Sequence, residues 1–326
     1  MPTTSRTTFP FRHKRGNRLA LSVMAQSLAL AFAAPAIANP LGSVVINGMA
    51  SLAPSSGGKA LTVTNSPGAI LNWNSFSIGA GESVRFVQKN VSSQVLNRVV
   101  GSDPSQILGT LNSNGKVFLI NPNGIAFGAG SQVNVAGLVA STLNLSDADF
   151  LAGSLRFQAT PGAGKLSNQG TIQAANGGQI YLVGSAIDNG GLLTAPNGDV
   201  ILAAGKTVNL IDARNPEITV EINAPANQAV NLGQIMARNI SMLAGAIMHS
   251  GSINADAAVI GDGGRIWLKA FNNVNLDTGS LVIADGTAGG FIDVKAGKIA
   301  VLGGRISADG NAGQGGQVNV QADEIL

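Results

Sequence analysis

Three segments, GGRIWLKA (263–270), GGFIDVKA (289–296) and GGQVNVQA (315–322), recur at a spacing of 26 residues. Each opens on a glycine pair and continues as a short apolar alternation, the period-two pattern of a strand. Ala284-Asp285-Gly286 and Ala308-Asp309-Gly310 echo one another at 24. Upstream, the stretch from Asn168 to Gly184 matches Asn189 to Gly205 at an offset of 21, which sets Asn168 on Asn189, Ala174 on Ala195, Asn176-Gly177 on Asn197-Gly198, and Gly184 on Gly205. A repeat of 21–26 residues that holds only short strands is one coil of a parallel β-helix, in which each coil stacks on the last at roughly 4.8 Å.

Composition points the same way. Of 326 residues, 45% are hydrophobic, 11% charged and 4% aromatic, with 43 glycines and no cysteine. Globular domains average about 25% charged residues and about 7% glycine. Low charge with abundant Val, Ile, Leu and Ala excludes disorder. A narrow interior column favours aliphatic side chains over rings, and glycine and asparagine supply tight turns. The expected architecture is all-β, a right-handed parallel β-helix with an N-terminal β cap and extra-helical hairpins, in about 11–13 coils. A β-sandwich is the competing all-β arrangement. Leucine-rich and propeller repeats lack their motifs here.

The sequence pI of 9.4 misleads. Arg6, Arg12, Lys14, Arg15 and Arg18 precede the apolar run Leu19 to Ala34, followed by Ala36-Ile37-Ala38. That is the layout of a secretory signal peptide over 1–38, with Ala36, Ala38 and Asn39 at the cleavage site. Removing it leaves 17 acidic against 15 basic residues, so no basic surface remains for nucleic acid. The reading predicts a secreted or surface protein. Export without cysteine places stability on burial and backbone pairing rather than on disulfides.

Beyond the leader the domains are expected as 39–110, an N-terminal cap and first coils; 111–250, the β-helix core; and 251–326, further repeats. The C-terminal QVNVQADEIL (317–326) stops almost in mid-repeat, so either the protein continues or its last coil is exposed. One short helix is expected from Ser146 to Ala152, with Ser146 as its cap.

Between two apolar runs lies FLINPNGIAFG, 118–128. Asn121, Pro122, Asn123 and Gly124 suit positions i to i+3 of a type I turn that fixes the angle between the strands Phe118 to Ile120 and Ile125 to Phe127. Together with NWNSFSIGAGESVRFVQ, the run from Ser93 to Asn144 and LSNQGTIQAANGGQIYLVG, this motif closely resembles the N-terminal secretion domain of the filamentous haemagglutinin family, nearest to its high-molecular-weight adhesin branch. The resemblance is continuous from about Pro40 to Gly205 and looser beyond. An NPNL element found in some members is absent here, and LNSNG (111–115) lies nearest upstream of NPNGI.

The resemblance implies a two-partner secretion passenger, exported by the general machinery and addressed to an Omp85-like outer-membrane transporter through its periplasmic POTRA domains. Passengers of this kind are adhesins, haemagglutinins or contact-dependent inhibition toxins, and host-cell glycans or proteins are the further partners implied. The residues 121–125 would then act as a sorting signal, a stabilised corner, or both. A free-standing adhesive β-helix is the alternative reading.

Catalytic chemistry finds little support. His13 lies in the leader, leaving His249 as the one mature histidine. Cys/His metal sites are excluded by count, and no G-x-S-x-G element accompanies a serine nucleophile. Asp256, Asp285 and Asp309 occupy similar repeat places, yet each sits before a small residue as turn aspartates do. Asp147 and Asp149 flank the short helix, and Gly57-Gly58-Lys59 lacks phosphate-loop spacing. No enzyme activity, cofactor or metal is expected.

Overall fold

The computed structural model describes residues 39–210, 219–221, 227–255 and 263–326. The expected signal peptide, with Ala36, Ala38 and His13, and the repeat aspartate Asp256 lie outside the described residues.

The short apolar alternations form three ladders of parallel strands, here A, B and C, which the chain visits in turn. Ladder A runs from Ala60–Asn65 to Arg305–Ser307, ladder B from Ala69–Trp73 to Gln317–Gln321, and ladder C from Ser105–Ile107 to Glu324–Ile325. This is the expected parallel β-helix. The 26-residue echoes lie directly over one another: Arg265 pairs with Phe291 and Phe291 with Gln317, while Ala270 pairs with Ala296. Inward positions such as Ile266, Leu268, Ile292 and Val294 are fully buried in one continuous column. Each such side chain contributes about 1.5–3 kcal/mol of transfer free energy.

Two expectations are corrected. Ladder B holds ten strands among the described residues, not 11–13, because residues 142–165 and 205–210 lie outside the three ladders. Gly184 lies over Ala204, not Gly205. Asn168 does pair with Asn189, but the turn from Ala175 to Gln179 is one residue longer than that from Pro196 to Asp199. The offset therefore drops from 21 on ladder A to 20 on ladder B.

The glycine pairs have a steric cause. A Cβ at Gly264 would collide with Ala255 O, one at Gly290 with Gly264 O, and one at Gly316 with Gly290 O. Successive coils approach backbone to backbone at this corner, and only glycine fits.

The excursions build a second layer. Asn144–Leu145, Leu155–Gln158, Thr207–Leu210 and Thr219–Glu221 form a separate antiparallel sheet. The helix α1, Asp147–Leu151, sits between its first two strands, with the Ser146 hydroxyl accepting from Asp149 N as expected of a cap. Side chains of this layer pack on the outer face of ladder B: Phe150, Phe157 and Val208 join Phe118, Val139 and Tyr181 in a second core. Phe118 and Phe150 meet edge to face at 5.1 Å. Ladder B is thus buried on both faces there, which is why VFLI (117–120) and IYLVG (180–184) lack the polar alternation of a one-sided strand. Arg98 anchors the layer, with Nη1 2.6 Å from Asp147 and Nη2 donating to Leu145 O at 2.6 Å.

At the N-terminal end, Val44–Asn47 and Ala50–Pro54 run antiparallel to the first strands of ladders B and A. They close the first coil, with Ala50 packed against the core.

Candidate functional site

The NPNG corner joins Lys116–Ile120 of ladder B to Ile125–Phe127 of ladder C. Gly124 N donates to Asn121 O at 3.1 Å, which closes the turn. Asn123 keeps a negative φ, in agreement with the expected type I geometry, while Gly124 has φ 127°, a conformation that favours glycine.

Asn121 is fully buried. Its Oδ1 accepts from Asn123 N at 3.0 Å, and its Nδ2 donates to Asp103 O and Ser105 Oγ of the preceding coil, each at 2.9 Å. Its backbone N–H donates to Ser141 O of the following coil at 2.9 Å. One residue therefore ties three coils. Asn123 is exposed and reaches back to Gly101 O through Nδ2 at 2.8 Å. Pro122 is half-buried, and its carbonyl accepts from Gly164 N at 2.7 Å. Ile125 turns into the main core, paired between Ser105 and Leu166. The motif accordingly divides into an inner part, Asn121, Gly124 and Ile125, and an outer part, Pro122 and Asn123. Both strands at the corner have parallel neighbours on either side.

The LNSNG segment forms a comparable corner between ladders A and B. Asn114 exchanges two hydrogen bonds of 2.8 Å with the Gln88 backbone, and Gln88 Nε2 donates to Ser113 Oγ and Lys116 O. Asn39, from the expected cleavage site, donates through Nδ2 to Gly58 O.

Sequence reasoning missed an interior feature at the corner from ladder C to ladder A. Asn168 Nδ2 donates to Asn189 Oδ1 at 2.8 Å, and Asn189 Nδ2 to Asn231 Oδ1 at 2.8 Å. Asn231 Nδ2 then meets His249 Nδ1 at 3.1 Å. All four side chains are fully buried. The signal was the tripeptide Asn-x-Gly at 168–170, 189–191 and 231–233, continued as His-x-Gly at 249–251. Desolvation pushes the His249 imidazole below its ordinary value of 6.5, against opposing pulls from Leu281 O, Asn231 O and Asp277. His249 is bonded to backbone, with Nε2 3.1 Å from Leu281 O.

The carboxylates do turn work. Asp285 Oδ1 accepts from Ser307 Oγ and Asp309 N, both at 2.6 Å. Asp149 accepts from Ser146 Oγ at 2.6 Å and from Arg156 Nε at 2.9 Å, contacts that hold its carboxyl below the usual value. Among the described residues no three of His, Asp and Glu gather to hold a metal ion.

Known proteins match this arrangement. The family model for the TPS secretion domain matches residues 42–283, the NPNG corner included. A heme/hemopexin-binding protein of Haemophilus influenzae (strain ATCC 51907 / DSM 11121 / KW20 / Rd) is 33% identical over 214 residues, 62% of this chain and 23% of that protein. A second heme/hemopexin-binding protein of Haemophilus influenzae is 48% identical over 77 residues, 24% of this chain and 8% of that protein. The chain spans under a quarter of the length of either relative. The crystal structure of the HMW1 secretion domain from Haemophilus influenzae superposes with a TM-score of 0.72 at 28% identity, covering 88% of this chain and all of that one.

Proposed function

Because the chain belongs to the TPS secretion domain family, and so to a secreted two-partner-secretion exoprotein that works with a dedicated transporter, we propose that it is read by periplasmic POTRA domains of that transporter while still extended. Folding outside the cell then starts at the NPNG corner. The observation that carries this reading is the occupancy of the strands flanking the corner. Lys116–Ile120 and Ile125–Phe127 each have both edges paired with neighbouring coils. Strand addition onto a receptor sheet, which needs free backbone donors and acceptors, is open to residues 112–140 only before the coils close. The stretch 70–90 stands in the same position, since Ala69–Trp73 is covered by the cap on one side and by Gln94–Val99 on the other.

Closure of the corner supplies the outward bias. Asn121 gains partners in the coils before and after it, and the Ile125 side chain enters the core. Each added coil buries apolar surface at about 25 cal/mol/Å² and completes a row of backbone pairs, with no nucleotide hydrolysis required. In this reading the domain is a folding and addressing module without enzyme activity.

Binding of the chain to purified POTRA domains, compared between freshly diluted denatured chain and prefolded chain, tests the proposal. Capture of the extended chain alone is expected; equal capture of both forms would sink it.

The passenger's own ligand is a separate question. An adhesin or haemagglutinin role that engages host glycans or proteins stands beside haem or hemopexin binding, the property for which the two similar Haemophilus influenzae proteins are named. Spectroscopic titration of the secreted protein with haem, alongside host-cell binding, separates the two.

A further inference from the structure

The buried amides at the corner from ladder C to ladder A have a direction. Gly170 N–H can only donate, and it donates to Asn168 Oδ1 at 3.1 Å. That fixes the Asn168 amide, whose Nδ2 must face Asn189 Oδ1. Asn189 is fixed in turn and presents Nδ2 to Asn231 Oδ1. Asn231 is left with Nδ2 towards His249 Nδ1, so this nitrogen has to accept. On the other side of the ring Leu281 O can only accept, so Nε2 has to carry the proton.

We infer that Asn168–Asn189–Asn231 is a one-way hydrogen-bond chain that holds His249 as the neutral Nε2–H tautomer, so that acid uncouples the coils beyond Ser250 from those before it. The device works through two mismatches. Protonation at Nδ1 leaves the Asn231 amide facing a second donor in a dry interior, and an unsatisfied buried donor is costly. The new Nδ1–H can turn to Asn231 O, 3.2 Å away, but this does not restore a partner to the amide.

The elements packed on the ring contribute little charge. Strand Gln228–Asn231 supplies Asn231, residues 273–276 place Leu276 over His249, and the turn that follows carries Asp277, whose carboxylate is the charge that acts on the imidazole among the described residues. Desolvation outweighs Asp277 and lowers the imidazole's proton affinity. Beyond this point the column is aliphatic, with Leu276 and then Leu302 in the same register. Among the described residues His249 is therefore the last polar side chain in this register, followed by Leu276 and Leu302.

The test is nitrogen-15 NMR of the untagged chain carrying His13→Gln, in which His249 is the only imidazole. At neutral pH, Nε2 should show the protonated signature and Nδ1 the unprotonated one. Titration should fall below the ordinary 6.5. Protonation should coincide with loss of amide-exchange protection in 252–326 while 166–204 stays protected. Asn189→Leu should free the Asn231 amide to turn its oxygen towards a protonated Nδ1 and so shrink the acid step, while Leu281 O still holds the Nε2–H tautomer at neutral pH, and His249→Asn should abolish the acid step while leaving the neutral fold. An Nδ1–H tautomer at neutral pH overturns the inference in the parent chain, without recourse to any variant. So does an acid step that persists in His249→Asn, or one that Asn189→Leu leaves at full size.

Discussion

Asn121 Nδ2 lies 2.9 Å from Ser105 Oγ, and both side chains are completely shielded from solvent. A polar contact between two coils at that depth has no water to fall back on, so the corner is built or broken as a unit.

Replacing the two asparagines separately splits the inner from the outer part of the corner. Asn121→Ile strands Asp103 O, Ser105 Oγ and Asn123 N and should cost about 3 kcal/mol in urea unfolding. Asn123→Ile acts at an exposed position and should cost about 1 kcal/mol. Pro122→Val should also cost about 1 kcal/mol, through the unfolded chain. The double change Asn121→Ile with Asn123→Ile should sharply lower the amount of protein in the medium; normal secretion of that variant contradicts a role for the corner in export.

The glycine column offers a cleaner stability test. Gly290→Ala drives a methyl group into Gly264 O, whereas Gly315→Ala meets no atom within 4 Å. Thermal unfolding should show a loss of at least about 2 kcal/mol for the first and almost none for the second. Equal effects would mean that the coils do not approach as closely as described.

Stability should decline with acid through His249. Its folded value lies below 6.5, so as pH falls the unfolded chain takes up a proton before the native one does. The contribution is fully present above 6.5 and is lost below it, at no more than about 1.4 kcal/mol per pH unit, until the native imidazole also protonates. His249→Asn should flatten urea-unfolding free energies in that window, and an unchanged slope would reject the assignment to this residue.

Local repetition made the coil legible. In 263–322 the period is uninterrupted, and the same glycine collisions recur in every turn, so sequence offset and structural register coincide. The cap Ser146 was readable for a similar reason, because its bond to Asp149 N is local. Long-range events were not readable. Asn231 follows Asn189 by 42 positions because an excursion intervenes, and no fixed period finds it. The slip at Gly184 comes from one residue in a surface turn. Nothing local marks Phe118 and Tyr181 as facing away from the main column; their outward burial depends on Phe150 of α1 and Phe157 of the separate sheet. The corner residues 121–124 were identified as a turn, but the bonds to Asp103, Ser105 and Ser141 belong to coils that the motif does not contain.

The absence of cysteine allows the order of export and folding to be measured directly. Ala126 and Ser167 are register partners on adjacent coils of ladder C, both partly exposed. Neighbouring strands of a sheet lie about 4.7–4.9 Å apart, within the Cα separation that a disulfide spans. In Ala126→Cys with Ser167→Cys, any coil that closes in the oxidising periplasm is locked there. If folding follows passage, the pair should leave the cell at the parental rate with its cysteines unjoined beforehand, and a chain forced to crosslink in the periplasm by added oxidant should be retained until reductant releases it. Crosslinked chain that reaches the medium at the parental rate, without reductant, contradicts the account.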